Sequence, residues 1–176
     1  MTPYPLKPLS CYRSAVAVVA FGRKKAGNKR VEFQSCLDKQ KALKARFATC
    51  STPRERYMKI IELGRMLPAY PEEDKTPDRL VDGCQSRLYL KSTVARDRIR
   101  FAATADSVIS SGLAALFLSM YDREPPAALL KCPPAVLKEL GIGRELSIHR
   151  ASGLHHIYLR MQKEAIIALS RPLTES

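Results

Sequence analysis

The stretch Arg87-Leu88-Tyr89-Leu90-Lys91-Ser92-Thr93-Val94-Ala95-Arg96-Asp97-Arg98-Ile99-Arg100-Phe101-Ala102-Ala103-Thr104-Ala105 decides the fold. Leu88 and Leu90 alternate with Arg87, Tyr89 and Lys91, and Ile99, Phe101 and Ala103 alternate with Arg98, Arg100 and Ala102. Alternation with a period of two is the pattern of a strand with one buried face. The segment therefore reads as two strands with a basic outer face, folded into an antiparallel hairpin around Ala95-Arg96-Asp97. On either side the apolar spacing changes to three and four, the repeat of a helix.

Upstream, Phe33, Cys36, Leu37, Gln40, Leu43, Lys44 and Phe47 mark one face of a helix over 33–48. Ser51-Thr52-Pro53 followed by Arg54-Glu55 is an N-terminal cap: a hydroxyl for a free backbone N–H, proline in the first turn, then an acid at the positive end. It opens a helix to about Met66 with Tyr57, Ile60, Ile61, Gly64 and Leu67 inward; Pro68 ends it and 68–77 is a loop. Downstream, Asp106 is the expected cap of a helix over 108–121. Its core face is Val108, Ile109, Leu113, Leu116, Phe117 and Met120, and Gly112, Ala114 and Ala115 are small enough for close packing. Two short turns, 127–131 and 135–140, lie between prolines, and a last helix runs from about Ala151 to Ser170 on Leu154, Ile157, Tyr158, Met161, Ala165, Ile166 and Leu169. Helices, then strands, then helices argue for an α+β fold, a small antiparallel β-sheet packed against several helices.

The chain has 176 residues, a hydrophobic content of 45%, five Cys and a formal net charge of +13. That suffices for one ordinary domain. An odd number of Cys at this low density points to a reducing cytoplasm and at least one free thiol rather than a disulfide framework. No apolar run approaches the roughly 20 residues of a membrane span, so no membrane is expected. The charge first suggests nucleic acid. Residues 1–50, however, carry a net +9 and residues 51–176 only +4. The excess belongs to a basic N-terminal extension, 1–32, expected to be flexible, ahead of a folded domain over 33–176. The extension also fits a transit peptide, which keeps an organelle open as the alternative to the cytoplasm.

Cys84 stands out by its context. It follows Asp82-Gly83, a turn dipeptide, and leads into the first strand, so its side chain is presented at a loop while Gly83 supplies unusual backbone angles. Arg79 and Arg87 nearby are expected to favour the thiolate, the form that attacks sulfur. Cys36 falls on an apolar helix face and reads as core, Cys50 and Cys132 flank helices, and Cys11 lies in the extension. No close Cys or His pair has metal-ligand spacing, so no metal is expected. His155-His156 puts the two rings on different faces of a helix, so at most one joins a site with His149. A Cys84 hydrolase with His149 or His155 has no family signature and little room for a cleft, and no phosphate-cradling loop is present. The rival from another class is a basic nucleic-acid-binding module using Arg87, Lys91, Arg98 and Arg100, although Tyr89 is the only aromatic on that face.

With Cys84 in this setting the chain resembles the SufE family of sulfur acceptors for cysteine desulfurases, of which CsdE is a close branch. The resemblance rests on the run from Arg56 to Gly64 (Arg-Tyr-Met-Lys-Ile-Ile-Glu-Leu-Gly) with Leu67-Pro68, and on Val81-Asp82-Gly83-Cys84-Gln85-Ser86. It continues through Ala105-Asp106-Ser107 ahead of Ile109 and Gly112-Leu113, to Arg150-Ala151-Ser152-Gly153-Leu154, in one order over roughly residues 37–170. The resemblance implies the fold shared by SufE and IscU proteins. It implies that Cys84 takes a sulfur atom from a persulfide on a cysteine desulfurase (SufS- or CsdA-like), and that the sulfur passes to a downstream iron–sulfur scaffold. It implies no cofactor on this chain, the pyridoxal phosphate being the partner's. It makes Asp82, Gly83, Gln85 and Ser86 the acceptor loop, Arg150 a thiolate stabiliser and Asp106 a control point for loop or partner. A salt bridge is the competing role for Arg150, and helix capping for Asp106. The chain departs from the family at His149, where Ser is frequent, and at Leu88-Tyr89, where Val-Trp is common. An IscU-like scaffold is the fold-level alternative, and it calls for several clustered ligands where this chain offers Cys84.

Overall fold

The computed structural model describes residues 32–170. The expected extension, and Cys11 with it, lies outside these residues apart from Glu32. Helix α1 spans Gln34–Arg46 and α2 spans Pro53–Arg65; strands β1 (Leu88–Ala95) and β2 (Arg98–Ala105) follow; then come α3 (Val108–Tyr121), α4 (Pro126–Lys131), α5 (Ala135–Glu139), α6 (Ile142–Glu145) and α7 (Ile148–Ser170). The architecture is α+β: a two-stranded antiparallel sheet with helices packed on it.

The hairpin pairs Leu88 with Ala105 at one end and Ala95 with Arg98 at the other. Arg96 and Asp97 form its turn, both with positive φ (49° and 60°), the twist that a two-residue hairpin requires. Leu88, Leu90, Ile99, Phe101 and Ala103 are buried, as the alternation dictates. The outer face is less basic in effect than in composition. Lys91 reaches Asp74 at 2.6 Å, Arg98 lies 3.7 Å from Glu124 and Arg87 3.5 Å from Asp106, so acids from other elements meet three of the four cations. Arg79, expected to favour a Cys84 thiolate, is likewise paired with Asp74.

Helix α2 begins where the sequence places it, with a reciprocal cap: Glu55 N–H donates to Thr52 Oγ1, and Thr52 N–H to the Glu55 carboxylate. Helix α3 is apolar all round and accordingly buried along nearly its whole length, the state such a helix needs. It packs against α1, α2, α7 and β2. The approach to α2 is backbone to backbone: a Cβ on Gly64 would lie 2.5 Å from the Gly112 nitrogen, and one on Gly112 2.3 Å from the Ile60 carbonyl oxygen. Glu124, buried to 1% exposure just after α3, accepts from Lys39 at 2.6 Å and Ser35 at 2.7 Å and so ties α1 to the sheet edge, where its own carbonyl receives Ile99 N–H.

Some expectations are corrected. The N-cap of α3 is Ser107, whose side chain caps nothing, and Asp106 pairs with Arg87 instead. Val108 is 54% exposed, because it sits on the first turn before α3 enters the core. The last helix begins three residues earlier than expected, and Ile166 and Leu169 on it are exposed while Gly153 is buried, since α7 outruns the elements it packs against. Residues 142–145 add a helical turn not foreseen.

Gly112→Ala should destabilise the protein by about 1–3 kcal/mol, read as a lower urea midpoint, because the new methyl meets α2 backbone that cannot step aside; helix propensity would predict the opposite sign. Asp74, held below the usual carboxylate range by the Lys91 hydrogen bond first and by Arg79, contributes stability that is present above the unfolded pKa and lost as acidification passes the folded one. Asp74→Asn should therefore flatten the acid side of the stability–pH curve, measured by thermal melts between pH 2 and about 5.

Candidate functional site

Cys84 lies near the middle of a loop closed at its base by sheet-type hydrogen bonds. Val81 N–H donates to Leu88 O at 2.8 Å, and Leu80 bridges Tyr89. Asp82 and Gly83 make the turn, and Gly83 has φ 79°, a conformation that costs glycine little and other residues much. Asp82, Gly83 and Gln85 are exposed, whereas the Ser86 hydroxyl hydrogen-bonds the Ser110 hydroxyl on α3 and anchors the far side of the loop.

The thiol is half-buried and turned inward onto α7. Its Sγ lies 3.8 Å from the Gly153 carbonyl oxygen, a long contact with a weak donor. A Cβ on residue 153 would also stand 3.8 Å from Sγ, so Gly153 shapes the seat of the thiol. Burial pushes the Cys84 pKa up from the ordinary thiol value, and this is its only resolved cause. The expected thiolate-favouring cations do not act here: Arg79 is engaged by Asp74 and Arg87 by Asp106. The resting group is a thiol. Cys36 is more deeply inert, pushed up to about 12 by burial and by neighbouring Cys132 in the core. Among the described residues all Cys are free thiols.

A cleft of about 160 Å³ opens beside Cys84, lined by Ser86, Ser110, Leu113, His149, Arg150 and Gly153 among others. Arg150 therefore belongs to the surroundings of the thiol, and among the described residues it forms no salt bridge. Its guanidinium lies over the Tyr57 ring on α2, 5.1 Å from the centroid. Such a contact positions a cation while leaving its donors available. Asp106 holds Arg87 at the root of the loop and does not line the cleft.

The sequence allows at most one of His155 and His156 to join a site with His149 and gives neither a place at the acceptor loop, where the structure puts His156. The two rings meet edge-on but serve different surfaces: His155 lines a separate groove against α5, while His156 faces the acceptor loop. The His156 ring is packed so closely on Gly83 that a Cβ there would lie 2.5 Å from Cδ2 and Nε2. The spacing of His156 from Gly153 and Arg150, three residues at each step, was the available signal, since i, i+3 positions share a helix face. Among the described residues no three His, Cys, Asp or Glu side chains gather as a metal-binding group, and no helix is long and apolar enough to cross a membrane.

Residues 41–165 match the family model SufE, described as an Fe-S metabolism associated domain. The chain is 33% identical to the sulfur acceptor protein CsdE of Escherichia coli over 131 residues, covering 73% of this chain and 86% of that protein. It is 31% identical to a SufE-like protein of Rhizobium etli over 116 residues, covering 63% and 78% respectively. It is 29% identical over 121 residues to SufE-like protein 1, chloroplastic/mitochondrial, of Arabidopsis thaliana, covering 68% of this chain and 33% of that one. A solution structure of a Thermus thermophilus protein superposes with a TM-score of 0.63 at 21% identity, over 76% of this chain and 97% of the other, which shows the shared fold.

Because burial raises the Cys84 pKa and no cation offsets it, alkylation of this residue by iodoacetamide should have its main rise above the ordinary thiol range, with unfolding in urea moving that rise to lower pH; peptide mapping of the labelled chain reads both. Gly83→Ala should lower the melting temperature and expose Cys84 to reagent at neutral pH, because the residue needs both its positive φ and its bare face against His156.

Proposed function

The chain belongs to the SufE family, and from that premise we propose that it is a sulfur acceptor that takes sulfane sulfur from a cysteine desulfurase onto Cys84 and passes it on for iron–sulfur cluster assembly. The observation that carries this reading is a single cysteine held in an otherwise polar, base-anchored loop beside a cleft of about 160 Å³ that Arg150 and His149 line. The chain acts as an accessory protein with a reactive cysteine rather than as an enzyme complete in itself.

The chemistry asked of the chain is small. Cys84, as thiolate, attacks the terminal sulfur of a persulfide on the desulfurase; a new S–S bond forms on Cys84 as the donor S–S bond breaks, and the donor cysteine leaves as thiolate. The pyridoxal phosphate that generates the persulfide belongs to the desulfurase. On this chain, Asp82, Gly83, Gln85 and Ser86 carry Cys84, and Arg150 supplies a fixed cation at the cleft once the thiol leaves its seat on Gly153. Asp106, through Arg87, sets the root of the loop. Residues 33–176 are the acceptor domain, and 1–32 an extension to it. We place the reaction in the cytoplasm, with an organelle as the alternative if residues 1–32 act as a transit peptide. The IscU-like scaffold and nucleic-acid readings find less support, the first for want of clustered ligands among the described residues and the second because acids meet most of the basic strand face.

Incubating the chain with a cysteine desulfurase and cysteine should add one sulfur atom to its intact mass. The gain should vanish in Cys84→Ser and persist in Cys36→Ser; a gain that survives in Cys84→Ser would overturn the assignment. Arg150→Ala should slow this transfer while costing no more than about 1 kcal/mol of stability, the scale of an exposed cation–π contact. An early-melting Arg150→Ala with unchanged transfer would make the residue structural.

A further inference from the structure

The attack on sulfur needs a thiolate, yet the resting Cys84 is a half-buried thiol against a carbonyl oxygen, with Arg79 and Arg87 committed elsewhere and Arg150 at the cleft a cation that takes up no proton. Something must take its proton. His156 Nδ1 lies 2.8 Å from the Ser152 carbonyl oxygen. A carbonyl oxygen only accepts, so Nδ1 carries the hydrogen and donates it. With Nδ1 assigned as the donor to this shorter contact, Nε2 holds the lone pair of the neutral ring, and the Ser152 hydroxyl, 3.3 Å from Nδ1, accepts there rather than donates. The Nε2 edge is the one pressed against Gly83, the residue before Cys84. The thiol seat at Gly153 is one helical turn away on the same face of α7. Thiol and free base thus sit under one loop on one helix.

We infer that His156 is the proton acceptor for Cys84 during sulfur transfer, and that its bond to Ser152 positions it for that role. The inference rests on the reading of Cys84 as the sulfur acceptor. As the thiol leaves the Gly153 carbonyl to meet the donor, its proton passes to Nε2, giving an imidazolium beside the thiolate. The thiolate then attacks the terminal sulfur, the Cys84 S–S bond forms, the donor S–S bond breaks and the bonding pair departs with the donor cysteine as thiolate. The imidazolium returns its proton to solvent or to that leaving group. Nδ1–H stays bonded to Ser152 throughout, since both ring forms donate there. The other charged or titratable groups around the loop and ring are Asp82, Arg87 with Asp106, His149 and Arg150 at the cleft, and His155, whose ring meets that of His156 edge-on at 5.8 Å between centroids. The heavy atoms nearest the side-chain position of Gly83 all belong to the His156 ring, whereas His149 lines the cleft beside Cys84.

The test uses the free chain and iodoacetamide, with no desulfurase, so that it succeeds or fails apart from the transfer assay. Wild-type Cys84 should show a shelf of reactivity at neutral pH beneath its main alkaline rise, the mark of a minor thiolate–imidazolium tautomer in a coupled pair. In His156→Ala that shelf should drop about tenfold, the change in thiolate fraction for one pKa unit, and added imidazole should restore it. His156→Gln fills the same space and can still donate to Ser152 but takes up no proton; it should lose the shelf as fully as His156→Ala, so the test holds even if the smaller side chain loosens the loop. A shelf that persists in His156→Gln, or one that disappears in His149→Ala and not in His156→Gln, would overturn the inference.

Discussion

Two walls of the site depend on how closely α2 and α3 cross. At Gly64 and Gly112 there is no room for a side chain on either helix, so the two backbones define a fixed distance rather than a range. Helix α3 then delivers Ser107, Ile109, Ser110 and Leu113 to one wall of the cleft, and α2 delivers Tyr57 under the guanidinium of Arg150. Widening the crossing by the width of a methyl group would shift the wall that carries Tyr57 relative to the one that carries Ser110. The glycines thus do structural work at a distance from the cysteine they serve.

The scaffold was largely legible in the sequence because it is written in local patterns. The hairpin follows from alternation over a few residues, the α2 cap from Thr52 and Glu55, and the close approach of α3 from Gly112. The site was legible only in part, because its decisive contacts join residues far apart in the chain. Cys84 meets Gly153, Gly83 meets His156, and Tyr57 meets Arg150. No local period reports such pairs. The expectation that Arg79 and Arg87 would activate the thiol failed for the same reason: proximity in sequence said nothing of Asp74 and Asp106, which claim them.

These contacts arrange two competing demands on one sulfur atom. Seated on Gly153, the thiol is half-buried, protonated and slow to react with oxidants or stray electrophiles, since the thiolate is the reactive form. Beside that seat lies a cleft that carries Arg150, and the His156 ring packs on Gly83, the residue before the cysteine. The seat is weak, a single long contact to a carbonyl oxygen, and the loop around it is anchored at its base and at Ser86 rather than at its tip. Storage and release therefore differ by a small movement of few residues.

The hydrogen bond from Val81 to Leu88 also sets a ruler. It leaves residues 82–87 between its two ends, with Cys84 the third of them. A chain extends at most about 3.3–3.6 Å per residue, so the thiol, fully raised, stands on the order of 10 Å above the root of its loop. A donor sulfur at the bottom of a pocket deeper than that is out of reach without opening the sheet. The fold thereby sets a limit on how far this loop can carry its thiol.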